Sequence, residues 1–226
     1  RPSNTVVWWT PSSERLTITA QGCPLVTAFN WLLAERGISV AHSAAIGANG
    51  RAVLLPGKGG SGKTTTATTA LFGGLDFFGD DYLAVEAGTP PRVHALYRTA
   101  KLDPATFARV LPDEVPTLQG PDDPRAVEKH LAHIDDSHGS LGTSAPLAAV
   151  VLPRITGAEH PTIVPTSTGA AFRALAPSTL LQMPGNMREK MALLADVVRG
   201  VPAFELQLSS NLPRNTEALR NLLDSQ

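Results

Sequence analysis

The chain has a single cysteine, Cys23, so no disulfide can close within it. Its stability must come from packing, and a reducing compartment such as the cytosol suits it. Aromatic residues are scarce at 5%. No apolar run approaches the roughly 20 residues that a membrane-spanning helix needs, and no signal-peptide pattern opens the chain. A net charge of −1 gives neither sign an excess, which excludes a polycationic nucleic-acid binder and an acidic disordered tail. Neither an internal repeat nor a low-complexity segment interrupts the 226 residues. What remains is a globular, cytoplasmic protein with 42% hydrophobic residues and no membrane or nucleic-acid partner. At this length a chain buries about 70–75% of its extended surface without metal or disulfide staples.

The most informative stretch is Arg51 to Glu86, RAVLLPGKGGSGKTTTATTALFGGLDFFGDDYLAVE. Within it, Gly57-Lys58-Gly59-Gly60-Ser61-Gly62-Lys63-Thr64 has the Walker A spacing, and Thr65 continues it. Arg51 to Leu55 reads as a buried strand, and Thr64 to Phe72 as the start of a helix. In such a loop the glycines let consecutive N–H groups turn inward, and the positive end of the helix dipole meets them there. The expected guest is a nucleotide's phosphate tail, with Lys63 on the β/γ oxygens and the Thr64 hydroxyl on Mg²⁺.

Before the loop, Thr5 to Thr10 and Leu16 to Ala20 read as a strand pair about the turn Pro11-Ser12-Ser13-Glu14. Pro24 opens a helix that stops at Gly37, and Trp8, Trp9 and Trp31 are taken as core. Ser39 to Ile46 is a strand carrying His42, and Gly47-Ala48-Asn49-Gly50 turns it into the strand that feeds the loop, so part of the sheet is antiparallel. After the loop, Leu75 to Phe78 delivers Gly79-Asp80-Asp81. Adjacent carboxylates there meet the need for a magnesium ligand and a proton acceptor. Because neighbours on a strand point to opposite faces, both serve one site only if the chain bends, and Gly79 permits that.

Further strands are expected at Tyr82 to Glu86, Arg92 to Tyr97, Leu147 to Leu152, Thr162 to Pro165 and Pro202 to Leu208. Asp103 caps a short helix. Pro112 to Gly142 reads as irregular around a helix at Arg125 to Ile134. Its His130, His133, Asp135, Asp136 and His138 lack a metal-site arrangement and read as solvated polar residues. Arg154, where the Leu147 strand is expected to leave the sheet, has the reach to meet a phosphate or to form a surface salt bridge. Helices follow at Gly169 towards Leu181, at Met187 to Val198 with Met187 and Met191 on a core stripe, and at Arg214 to Leu223.

The spacing of 17 positions between Lys63 and Asp80, and the pattern Asp80-Asp81, oppose a partition-type ATPase despite Lys58. Ala41-His42, GRAVLLPGKGGSGKTTTATTAL and DFFGDDYLAVE instead resemble the catalytic domain of HPr kinase/phosphorylase, related to phosphoenolpyruvate carboxykinase. The resemblance is nearest to the HPr-kinase-like proteins that phosphorylate a serine of lasso peptides. It implies an α/β P-loop kinase fold, a mixed sheet with flanking helices, as one domain over 1–226. Within it, N-terminal strands and helix occupy 1–38, a nucleotide-binding core 39–99, a flap 100–145, and C-terminal strands and helices 146–226. By position it makes Lys63 the phosphate clamp, Thr64 a magnesium ligand, Asp80 the general base, Asp81 a metal or second contact, and His42 a proton-network residue. The implied activity is Mg·ATP-dependent phosphorylation of a serine in a protein or peptide, and since family members often form hexamers it admits a homo-oligomer. His42 is followed by serine where the family has glycine, and the glycine-rich signature of phosphorolysis is missing. A nucleotide-sensing module without transfer and a small-molecule kinase share the same cradle and remain the alternatives.

Overall fold

A computed structural model of the chain describes residues 5–12, 16–111, 113 and 129–226. The framework is one mixed sheet with helices on both faces. Its first two strands, β1 (Ile38–Ala48) and β2 (Arg51–Pro56), form the expected hairpin, with Ala48 opposite Arg51. Asn49 and Gly50 make the tight turn, both left-handed at φ 53° and 73°, the geometry for which an Asn-Gly pair is suited. Next come β3 (Asp76–Gly79), β4 (Tyr82–Glu86) and β5 (Arg92–His94), then β6 (Thr99–Leu102) and β7 (His130–His133), which pair only with each other. The long β8 (Ser144–Ala158), β9 (Thr162–Pro165) and β10 (Ala203–Ser209) complete the strands.

β1 is long enough to serve several partners. Its first half pairs with β4 and its second with β2 and β3, all antiparallel. β2 also pairs in parallel with β8, and β8 pairs with β5, so β2, β1, β4, β5 and β8 close a ring. Alanines at 41, 44 and 45 keep β1 thin enough for helices to approach from both sides. One face is covered by α3 (Lys63–Phe72), α4 (Pro104–Val110) and α7 (Leu212–Ser225), over a core of Ile46, Val53, Leu55, Leu71, Phe77 and Leu219. The other carries α5 (Thr168–Gln182) and α6 (Met187–Arg199), over Leu54, Leu83, Val85, Leu175 and Leu194. No helix among the described residues is long and apolar enough to cross a membrane.

Several expectations are overturned. Leu16 to Ala20 is not a strand: the Thr17 side chain accepts a hydrogen bond from the Ala20 N–H and caps α1 (Ile18–Gly22). This local cap prevails over β-propensity, which depends on finding a partner strand. Thr5 to Thr10 forms no strand among the described residues, and Ser13 and Glu14 of the expected turn lie outside them. The three tryptophans are accordingly not core, with Trp8, Trp9 and Trp31 at 48%, 79% and 55% exposure. Trp31 belongs to α2 (Val26–Ala34), the expected helix, whose outer side it occupies. The expected helix near Ile134 is also corrected, because His130–His133 is a strand, while Arg125 to Glu128 lies outside the described residues. β8 does not end before Arg154 but runs through it, supported by β10.

Met187 and Met191 are exposed, because α6 is rotated to put Lys190 inward with Leu194 and Val198. The ammonium of Lys190 donates to Asn30 Oδ1 at 2.6 Å, Met183 O at 3.2 Å and Pro184 O at 3.1 Å. It thus ties α2 to the carbonyls at the end of α5, where a cation is favoured. Burial lowers the pKa of this amine, yet all three of its protons have acceptors. Lys190→Met should destabilise the chain by about 1–3 kcal/mol, because the buried Asn30 Oδ1 and Met183 O lose this donor, while Pro184 O keeps the Asn30 amide. Urea unfolding checks this, and an unchanged midpoint would show the tie to be idle.

Candidate active site

β2 ends at Pro56 and α3 begins at Lys63, and the glycine loop between them turns over the edge of the sheet. Gly62 caps α3 in a left-handed conformation, φ 97°, and a Cβ there would stand 2.6 Å from Leu208 Cδ1. Only glycine meets both demands. Lys63 is buried at 6% exposure. Burial lowers the pKa of its amine, while Asp80 and Asp81 pull it back up.

Asp80 lies at the end of β3 and is 1% exposed. Its carboxylate accepts the Thr64 hydroxyl, at 3.0 Å to Oδ1 and 2.9 Å to Oδ2, and the Lys101 N–H at 3.4 Å. Asp81 follows in a left-handed conformation, φ 64°, which is rare for a non-glycine residue. With Gly79 at φ 142°, this makes the bend that brings neighbouring carboxylates to one site. A side chain at Gly79 would meet Leu83 Cδ2 at 2.9 Å and Tyr97 O at 3.0 Å. The bend is pinned to the central strand by the Ser43 N–H, which donates to Asp81 O at 3.0 Å.

His42 Nε2 lies 3.4 Å from Asp81 Oδ1, and Lys101 Nζ lies 2.6 Å from Oδ2. The two carboxyls therefore titrate in opposite directions. For Asp80, burial first and then the Asp81 charge push the pKa up to about 7, against Lys63 and Thr64. Burial would raise Asp81 as well, but His42 and Lys101 outweigh it and hold the carboxyl well below the usual range.

A cavity of about 820 Å³ opens over this cluster, lined by His42, Lys63, Thr64, Thr65, Asp81 and Lys101 among others. Asp80 stays behind Thr64 and does not line it. A smaller cavity of about 450 Å³ lies against the outside of the loop, at Gly57, Lys58 and Ser61, and both cavities touch Gly60 and Ile155. Arg154 lines this second space, pairs with Glu205 at 3.3 Å and is apart from the carboxylates. Of the residues expected from sequence, the structure thus gathers His42, Lys63, Thr64, Asp80 and Asp81, and leaves Arg154 and Lys58 on the other side of the loop. Lys101 was missed; the available signal was a lysine between the apolar Ala100 and Leu102 of a short strand. The imidazole cluster near His138 forms no metal site, since no group of three or more His, Cys, Asp or Glu among the described residues is placed to hold an ion.

The residues suit a magnesium nucleotide: a buried lysine beside a loop whose Gly57, Gly60 and Gly62 have positive φ, for phosphate, and a hydroxyl bonded to a carboxylate for an ion that keeps most of its own waters. In class, the molecule is a mixed α/β protein with a large mixed sheet and flanking helices. Among solved structures it is similar to the HPr(Ser) kinase/phosphatase from Coxiella burnetii, with a TM-score of 0.42 and 9% identity over 81% of this chain and 95% of that one. No family model and no curated protein sequence matches it.

Because Asp80 is protonated in the folded chain at pH values where the unfolded chain has ionised it, the fold binds the extra proton between about pH 4 and 7. Stability contributed by Asp80 therefore falls as pH rises through that window. Asp80→Asn should make the ligand-free chain more stable at pH 8, by about 1–3 kcal/mol, and flatten the fall between about pH 4 and 7. Thermal melts without magnesium test it; a variant less stable than the parent at pH 8 would contradict the burial cost assigned to Asp80.

Proposed function

We propose that the chain is a phosphotransferase that moves the γ-phosphoryl group of Mg·ATP to a hydroxyl, that of a serine in a protein or peptide. The observation that carries the reading is the convergence of Lys63, Thr64, Asp81 and His42 at one cavity, from three separate parts of the chain, with Asp80 bonded to Thr64 behind them. A nucleotide sensor needs the cradle and one metal-holding carboxylate. A second, cavity-facing carboxylate paired with a histidine suits the removal of a proton.

In this reading the loop N–H groups and Lys63 hold the β/γ oxygens. Thr64, with Asp80 bonded behind it, would hold magnesium, and the ion when bound would offset the negative charge of the phosphate oxygens. Sequence reasoning gave the proton to Asp80 and the metal contact to Asp81. The geometry favours the exchange of those roles, because Asp80 is occupied by Thr64 and turned away from the cavity that Asp81 faces. Asp81 accepts the proton of the acceptor hydroxyl as its oxygen bonds to the γ-phosphorus, and the bond from that phosphorus to the bridging oxygen breaks to release ADP. His42 steadies the carboxylate and passes the proton on. Lys58 and Arg154, across the loop, border the smaller recess and meet the part of the nucleotide beyond the phosphates.

Binding of a fluorescent ATP analogue, with transfer from labelled ATP to serine peptides, tests this reading. Lys63→Ala should lose both nucleotide affinity and transfer. Asp81→Asn should keep affinity and lose about 10²–10⁴ in transfer rate. Unchanged binding by the first variant, or unchanged transfer by the second, would refute the assignment.

A further inference from the structure

Lys101 touches both carboxylates by different parts of itself. Its backbone N–H reaches Asp80 Oδ2 at 3.4 Å, and its ammonium sits 2.6 Å from Asp81 Oδ2. The same ammonium donates to Thr19 Oγ1 at 3.1 Å, which secures it to α1. Its side chain is 18% exposed, and it lines the cavity that Lys63 and Thr64 also line. β6 fixes the root of the side chain, with Lys101 opposite Leu131 of β7 and with Ala100 and Leu102 buried on either side of it.

Asp81 has little else to orient it. Apart from Lys101, its carboxylate has the His42 contact at 3.4 Å, longer than a good charge-assisted hydrogen bond. Without Lys101 the carboxylate would be free to rotate towards the buried Lys63 and leave the cavity. The two oxygens therefore have different duties: Oδ2 is gripped, and Oδ1, beside His42, is left to take a proton.

We propose that Lys101 is a positioning residue for phosphoryl transfer, anchored through Thr19 and aiming the Asp81 carboxylate into the cavity. This rests on the phosphotransferase reading above. A surface ion pair is usually worth little, but this one is mostly buried and placed at the proposed site of proton removal. Misplacing a reacting group by about 1 Å costs on the order of 10²-fold in rate.

The test compares the parent chain with Lys101→Met and Lys101→Arg. Ligand-free crystal structures come first, since they need no reaction. In Lys101→Met the Asp81 carboxylate should shift by about 1 Å or more, the displacement that matters for rate. Lys101→Arg should retain its position. An unmoved carboxylate in Lys101→Met overturns the proposal, whether or not the chain proves to be a kinase. Kinetics follow, with serine peptides and labelled ATP. Lys101→Met should leave the KM for Mg·ATP within about threefold and lower kcat by about 10²-fold, and Lys101→Arg should recover most of the loss. In the double variant with Asp81→Asn, the Lys101→Met loss should vanish, since Lys101 acts through Asp81. Additive losses, or a matching fall in nucleotide affinity, would make Lys101 a phosphate or structural residue instead. A parent chain that binds no Mg·ATP removes the phosphotransferase reading while leaving the crystallographic comparison to decide the role of Lys101 as the holder of Asp81.

Discussion

The site depends on a single bend. Between Gly79 and Tyr82 the backbone leaves β3 and enters β4, and in doing so it turns two successive carboxylates to one side. An extended chain would send one of them to the opposite face. The bend holds because the Ser43 N–H grips the Asp81 carbonyl, the Tyr82 N–H folds back to the Asp80 carbonyl at 2.8 Å, and Gly79 admits Leu83 and Tyr97 at close range. Left-handed backbone at a non-glycine residue costs on the order of 1–3 kcal/mol, and such strain collects where function demands it. The sheet supplies the rigidity. β1 is clamped by β2, β3 and β4, so His42 and Ser43 approach the bend from a strand that cannot shift.

Electrostatics separates the carboxylates further. Two adjacent acids in a nearly dry place cannot both remain ordinary, and here the environment divides them. Asp80, enclosed and supplied among the described residues by Thr64 and one backbone N–H, carries a charge that burial makes costly. Asp81, flanked by Lys101 and His42, is ionised at once. A protein selected for stability alone would bury neither, and carboxyls pushed apart in this way collect at functional sites.

The glycine loop, its flanking strand and helix, the Asn49-Gly50 turn and the acidic pair were legible in the sequence because each is a local pattern with a local cause. What was hidden is relational. Leu16 to Ala20 has strand composition, yet a threonine three residues before an available N–H settled it as a helix. The tryptophans looked like core because aromatic residues usually are, but Trp8 and Trp9 lie outside any strand among the described residues and Trp31 sits on the outer side of α2. Met187 and Met191 satisfied helical periodicity, but Lys190 had partners in α2 and α5 that no pattern in α6 could disclose. The division of labour between Asp80 and Asp81 was equally hidden, since it follows from which of them Thr64 and Lys101 reach.

The central claim is that Lys63, Thr64 and Asp81 face the reacting end of one triphosphate, with Asp80 backing Thr64. A crystal structure with magnesium and a non-hydrolysable ATP analogue addresses it directly. The account predicts the γ-phosphate beside Lys63, the ion on Thr64 backed by Asp80, and the Asp81 carboxylate facing the phosphorus from the open side. A triphosphate bound elsewhere, or one whose γ-phosphate points away from both aspartates, would contradict it.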